Sequence, residues 1–130
     1  MKKITSRLKT LIRRQFIPQS KVHTFGPSSA LHTLVISVPN TFNINIPNAE
    51  QCIKMGFGKG FEKCGCNWQL VPRNLIETQL NKLENPIVFL SAPDYATMSK
   101  SLCLKLKKIP HFVWGSPDPD TFYSIYKKFN

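Results

Sequence analysis

Leu34-Val35-Ile36-Ser37-Val38, closed by Pro39, decides the fold of this chain. The run is short, rich in β-branched residues and apolar at successive positions, so it reads as a strand buried on both faces, the kind found inside parallel sheets. Three further runs follow it. Asn67-Trp68-Gln69-Leu70-Val71 alternates polar with apolar residues and stops at Pro72, which predicts a half-exposed strand near a sheet edge. Ile87-Val88-Phe89-Leu90 and His111-Phe112-Val113-Trp114 are continuous runs and read as central strands.

Helical patterns separate these runs. Asn48 stands three residues before Gln51, the spacing of a capping box, and predicts a helix from there to about Lys63. A second helix, roughly Arg73–Leu83, carries Leu75, Ile76, Leu80 and Leu83 on one side. A third, roughly Asp94–Lys108, carries Tyr95, Met98, Leu102, Leu106 and Ile109. After Pro117-Asp118-Pro119-Asp120, the residues Phe122, Ile125, Tyr126 and Phe129 mark a fourth, with Asp120 as its cap. Strands alternating with helices predict an α/β, Rossmann-like fold: a parallel sheet of about four strands with helices on both faces. The half-polar second run wants an edge and the apolar third wants the middle, which favours the order 2-1-3-4. Ligands are then expected at the carboxyl ends of strands 1 and 3, where the direction of winding reverses.

The 130 residues accommodate one such domain and a short arm, not a complete two-domain enzyme. No apolar run approaches the ~20 residues of a membrane span. The net charge is +11, but Lys2, Lys3, Arg7, Lys9, Arg13, Arg14 and Lys21 all precede the first acid, Glu50, so most of the basicity belongs to the amino-terminal arm. Ile4, Leu8, Leu11, Ile12 and Phe16 lay an apolar stripe along residues 1–16, a basic amphipathic helix. It suits an anionic membrane surface, an organellar targeting segment or a first helix packed on the domain. Pro18–Ser29 reads as a linker, giving an arm and linker over 1–30 and the α/β domain over 31–130. Cys52, Cys64, Cys66 and Cys103 are poorly spaced for a secreted disulfide scaffold and point to a reducing, cytoplasmic setting, with peripheral membrane association if the arm binds lipid. Cys64-Gly-Cys66 resembles half of a metal site, yet His23, His32 and His111 are scattered singly, so no metal site is expected and the thiols read as buried or incidental.

Several residues at the expected crevice carry chemistry. The loop Pro39–Asn48 offers Asn40, Asn43, Asn45 and Asn48, whose amides both donate and accept and so can read hydroxyls. Asn also tolerates turns, and Phe42, Ile44 and Ile46 can fold the same loop onto the core. Asn48 with the amides of Ala49 and Glu50 is a modest anion site at a helix start. After strand 3, Ser91 supplies a hydroxyl and Tyr95 an aromatic ring, and Asp94 is either a general base or a helix cap. Trp114 lines the pocket or packs beside it. Gly56-Phe57-Gly58-Lys59-Gly60 lies inside a helix and lacks the ending of a phosphate loop. Cys52, Gly56, Gly60 and Cys64 recur every four residues and predict a face of small side chains set close against the sheet.

Asn-Ile-Pro-Asn-Ala-Glu-Gln-Cys-Ile at Asn45–Ile53, Gly-Phe-Gly-Lys-Gly-Phe at Gly56–Phe61, Pro-Ile-Val-Phe-Leu-Ser at Pro86–Ser91 and Pro-His-Phe-Val-Trp at Pro110–Trp114 resemble the amino-terminal domain of spore-maturation-type bacterial glycosyltransferases. The resemblance spans residues 31–116. It implies a GT-B class transferase, in which this Rossmann-like half handles a carbohydrate or glycan acceptor. The nucleotide-sugar donor would bind a second domain or a partner chain. No cofactor is then expected on this chain, Asp94 is the one acid to nominate as base, and independent activity is not expected. The alternative is a non-catalytic basic adaptor for anionic partners. Nucleic acid is the weaker partner in that reading, because the motifs of the common nucleic-acid-binding modules are missing.

Overall fold

The structure, a computed structural model, describes residues 21–114 and Lys127, with the side chains of Tyr95 and Ala96 excepted. The amphipathic stripe of residues 1–16 and the helix expected after Asp120 lie outside the described residues. The strands are β1 (His23–Phe25), β2 (Thr33–Val38), β3 (Asn67–Pro72), β4 (Pro86–Ser91) and β5 (His111–Trp114). Helix α1 (Ala49–Lys63) joins β2 to β3. A 3-10 turn (Arg73–Leu75) and α2 (Ile76–Leu80) join β3 to β4, and α3 (Ala92–Ala96) and α4 (Lys100–Leu106) join β4 to β5.

The sheet has five strands in the order β1-β3-β2-β4-β5. The four parallel strands stand in the expected sequence, and an antiparallel strand is added outside β3. That strand lies within the stretch expected as linker. Its pairing of His23 with Leu70 and Phe25 with Trp68 takes β3 off the edge. Five of the six β3 residues are consequently buried, Gln69 included, and the buried Gln69 Oε1 accepts from Gln79 Nε2 over 2.8 Å. Phe25 stacks on Trp68 with ring centroids 4.2 Å apart. At the other end of the sheet, β5 was expected to be central, but its residues are half-buried to exposed.

All six residues of β2 are buried, and their alternation feeds two cores. Leu34, Ile36 and Val38 join Trp68, Leu70 and Phe89 beneath α1. Val35 joins Val71, Val88 and Leu90 on the opposite face, covered by Ile76, Leu80 and Leu106 from α2 and α4. Each fully buried aliphatic side chain contributes about 1.5–3 kcal/mol, so this strand anchors both layers.

The second and third helices are shorter than their patterns predicted, although Leu75, Ile76, Leu80, Leu83, Met98, Leu102, Leu106 and Ile109 all pack on the same core. Ser99 breaks the third. Its extended backbone (φ −67°, ψ 154°) and its Oγ, which accepts from Leu102 N–H over 3.2 Å, make it the cap of a new helix.

The small-residue stripe on α1 does not face the sheet. Cys52 and Cys64 are exposed, and a Cβ added at Gly56 or Gly60 would meet nothing within 4 Å. A four-residue repeat drifts by about 40° per step on a helix of 3.6 residues per turn, so such a stripe winds away from any one contact. The buried face is Gln51, Lys54 and Gly58, with Met55 and Phe61 packed beside them. Gly58 makes the close approach, since a Cβ there would stand 2.2 Å from Trp68 Cε3.

Candidate functional site

The chain winds from β2 to β3 on one side and from β4 to β5 on the other, so strand ends diverge between β2 and β4. A cleft of about 360 Å³ opens at that point, over the core face of α2 and α4. Ser37 comes to it from the end of β2, Asn40 from the following loop, Arg73 and Asn74 from the end of β3, and Glu77 from α2. Asp94, Thr97 and Ser99 supply the wall after β4, while Leu90, Met98 and Leu102 form an apolar side.

Asp94 is the hub. Its side chain is almost fully buried, and both oxygens are engaged. Arg73 Nε donates to Oδ1 over 2.7 Å. The Ser91 N–H and hydroxyl donate to Oδ2 over 2.8 and 2.7 Å. Lys54 Nζ lies 3.8 Å from Oδ2, itself buried, donating to the Ser37 carbonyl over 2.7 Å and lying 3.6 Å from Glu50. A single carboxylate thus joins α1, the end of β3 and the start of α3.

Burial by itself raises the Asp94 pKa. The Ser37 hydroxyl, the two Ser91 donors and the Lys54 charge outweigh it and hold the carboxyl below its ordinary value. The buried Ser37 hydroxyl makes no hydrogen bond of standard geometry, so its effect is that of a dipole beside the anion. A carboxylate so stabilised is a weak proton acceptor at neutral pH. The cap alternative is modified as well: α3 begins two residues earlier than expected, at Ala92, and Asp94 reaches back to Ser91 N–H as the third residue of a capping box does.

Of the residues nominated from sequence, Asn40 and Asp94 line the cleft, and Ser91 joins them through its bonds to Asp94. Asn40 Oδ1 accepts from Asn74 N–H over 2.9 Å. Asn43 instead closes a local turn by accepting from Asn45 N–H over 3.0 Å. Asn48 caps α1, exchanging bonds with Gln51 at 2.9 Å in both directions, and so is spent on the helix. Phe42 is buried and Ile44 half-buried against the core, whereas Ile46 is exposed. Trp114 pairs in register with Ser91 but does not line the cleft and is 40% exposed. The Tyr95 side chain lies outside the described residues.

Lys54, Arg73, Asn74, Thr97 and Ser99 escaped the sequence reading. Arg73 had a usable signal, because it directly follows the proline that ends the second strand and therefore sits at the ligand end of the sheet. Lys54 had only its helical spacing from Gln51 and Gly58, all of them residues that normally face solvent or go unnoticed.

Among the described residues, no group of three or more His, Cys, Asp or Glu side chains is placed to hold a metal ion, and no helix is long and apolar enough to cross a membrane. The four cysteines are free thiols. Comparison with protein-family models, curated proteins and solved structures returned no match.

Proposed function

We propose that this chain is a carbohydrate-binding α/β domain that serves as the acceptor side of a glycosyltransferase, with the nucleotide-sugar bound by a separate domain or partner. The observation that carries the reading is the cleft at the diverging strand ends, where Asn40, Asn74, Thr97 and Ser99 gather amides and hydroxyls opposite an apolar wall of Leu90, Met98 and Leu102. A pyranose has the matching character, with hydroxyls around its rim and C–H groups on its faces. Open α/β sheets bind ligands at this position, and the family resemblance over residues 31–116 points to the same class of ligand. Asp94 acts in this reading by orienting Arg73 and tying the cleft walls together.

The alternative, a basic adaptor for anionic membranes or other polyanions, draws on the arm that precedes Lys21, outside the described residues. Amide-resolved NMR titration of residues 1–130 with a panel of neutral and acidic sugars tests the choice. Saturable shifts at Asn40, Asn74, Thr97 and Ser99 are expected. A panel that leaves those amides unmoved, while anionic vesicles shift the arm, overturns the carbohydrate reading in favour of the adaptor.

A further inference from the structure

We propose that the cleft contains an oxyanion subsite built on the Arg73 guanidinium, so that its ligand is an acidic sugar or polyol carrying a carboxylate or phosphate. This rests on the carbohydrate reading of the same cleft and adds the charge of the substrate to it.

Arg73 has five N–H donors and cannot lose its proton in a protein. One donor, Nε–H, is committed to Asp94 Oδ1 at 2.7 Å. The Nη groups have no acceptor among the described residues, and the side chain, 40% exposed, lines the cleft. Anchoring through Nε fixes the plane of the guanidinium and leaves its outer edge as a rigid fork, the shape that meets a carboxylate or phosphate with two parallel bonds.

Ser37 lines the same space with its hydroxyl enclosed beside the Asp94 carboxylate, whose ionised form it favours, so the Arg73 Nη groups are the charged donors left for a ligand oxyanion.

The neighbouring acid does not cancel the subsite. Glu77 lines the cleft, but its carboxylate accepts from the Ser101 hydroxyl and lies 3.5 Å from Lys105 Nζ. Asp94 is shared between Arg73 and the buried Lys54 amine. Neutral donors, the Asn40 and Asn74 amides and the Ser99 hydroxyl, complete the surroundings, while Thr97 Oγ1 already donates to the Pro93 carbonyl over 3.2 Å.

The test titrates ¹⁵N-labelled residues 1–130 with glucuronate, its neutral isostere glucuronamide and glucose 6-phosphate, following the cleft amides and the Arg73 Nε–H resonance. Glucuronate is expected to bind about tenfold more tightly than glucuronamide, the gap expected of one charge-assisted, half-exposed pair, and added salt should narrow it. Comparison of glucuronate with glucose 6-phosphate assigns the oxyanion as carboxylate or phosphate. Arg73→Gln should erase the preference, and Arg73→Lys, which keeps the charge without the fork, should retain only part of it. The wild-type comparison decides the matter even if either variant folds poorly. Equal affinity for glucuronate and glucuronamide at the cleft overturns the oxyanion subsite and leaves the carbohydrate reading standing. No shift at the cleft with any of these ligands overturns both, and shifts confined to residues 2–21 assign the anion to the arm and overturn the subsite.

Discussion

Arg73 donates through Nε to Asp94 Oδ1 over 2.7 Å, joining the end of β3 to the start of α3 across twenty-one residues of sequence. The other oxygen of the same carboxylate faces Lys54 from α1. Three elements therefore meet on one anion.

Asp94→Asn leaves the buried Lys54 amine without its countercharge while changing the side-chain volume little. Removing one partner of a buried pair typically costs about 3–5 kcal/mol, and the remaining Glu50 contact places this case at the low end. Urea denaturation should show a lower midpoint with an unchanged slope. Adding Lys54→Met should recover part of the loss. A fall of less than about 1 kcal/mol would mean that solvent already screens the network.

The same carboxyl sets an acid limit on stability. Its folded pKa lies below the ordinary 3.8, so the unfolded chain takes up the proton first as pH falls. The stabilisation is complete above that ordinary value and is lost progressively towards the lower folded value. Glu77 acts in the same direction, held down chiefly by the Ser101 hydroxyl. His23 is also lowered, by burial and then by Lys21, so the folded state favours the neutral ring and loses stability as pH drops through about 6.5. A pH series of denaturation midpoints should show both limbs. His23→Gln should remove the upper one, and Asp94→Asn should flatten the lower.

Gly58→Ala should destabilise although alanine is the better helix former. The new Cβ would stand 2.2 Å from Trp68 Cε3, and the resulting overpacking costs about 1–3 kcal/mol. Gly56→Ala and Gly60→Ala meet nothing and should each stabilise by about 0.5–1 kcal/mol. Thermal melts of these variants should move in opposite directions. A common direction would show that α1 does not lie on Trp68 as described.

Asn48→Ala removes the cap that accepts Gln51 N–H and should cost about 1 kcal/mol. Asn43→Ala, which opens only an exposed local turn, should cost less than half of that. Chemical denaturation of the two variants side by side provides the check.

Local patterns carried much of the architecture. The continuous apolar, β-branched run of Leu34–Val38, the Asn48/Gln51 cap and the placing of apolar residues on α2 and α4 are each set within a few residues. The order of the four parallel strands matches the expectation, although the polarity it was drawn from does not match their burial, since β3 is covered by β1 and the apolar β5 lies at the edge. The crevice was legible for a related reason, because winding direction follows from strand order. Asn40 and Asp94 sit where that geometry places strand ends.

Tertiary structure alone settled the rest. His23–Phe25 is too short to announce itself and becomes a strand because β3, more than forty residues later, offers an open ladder and Trp68 a stacking surface. Lys54 is buried because Asp94, Ser37 and Glu50 surround its amine, although lysine by itself prefers water. The same long-range contacts give Asp94, which also reaches back to the Ser91 N–H at the start of α3, the Arg73 and Lys54 partners that its place in the sequence does not announce. Periodicity and capping operate over one or two turns of chain and are written in it directly, whereas the worth of a buried charge or a three-residue strand is set by partners that only folding brings near.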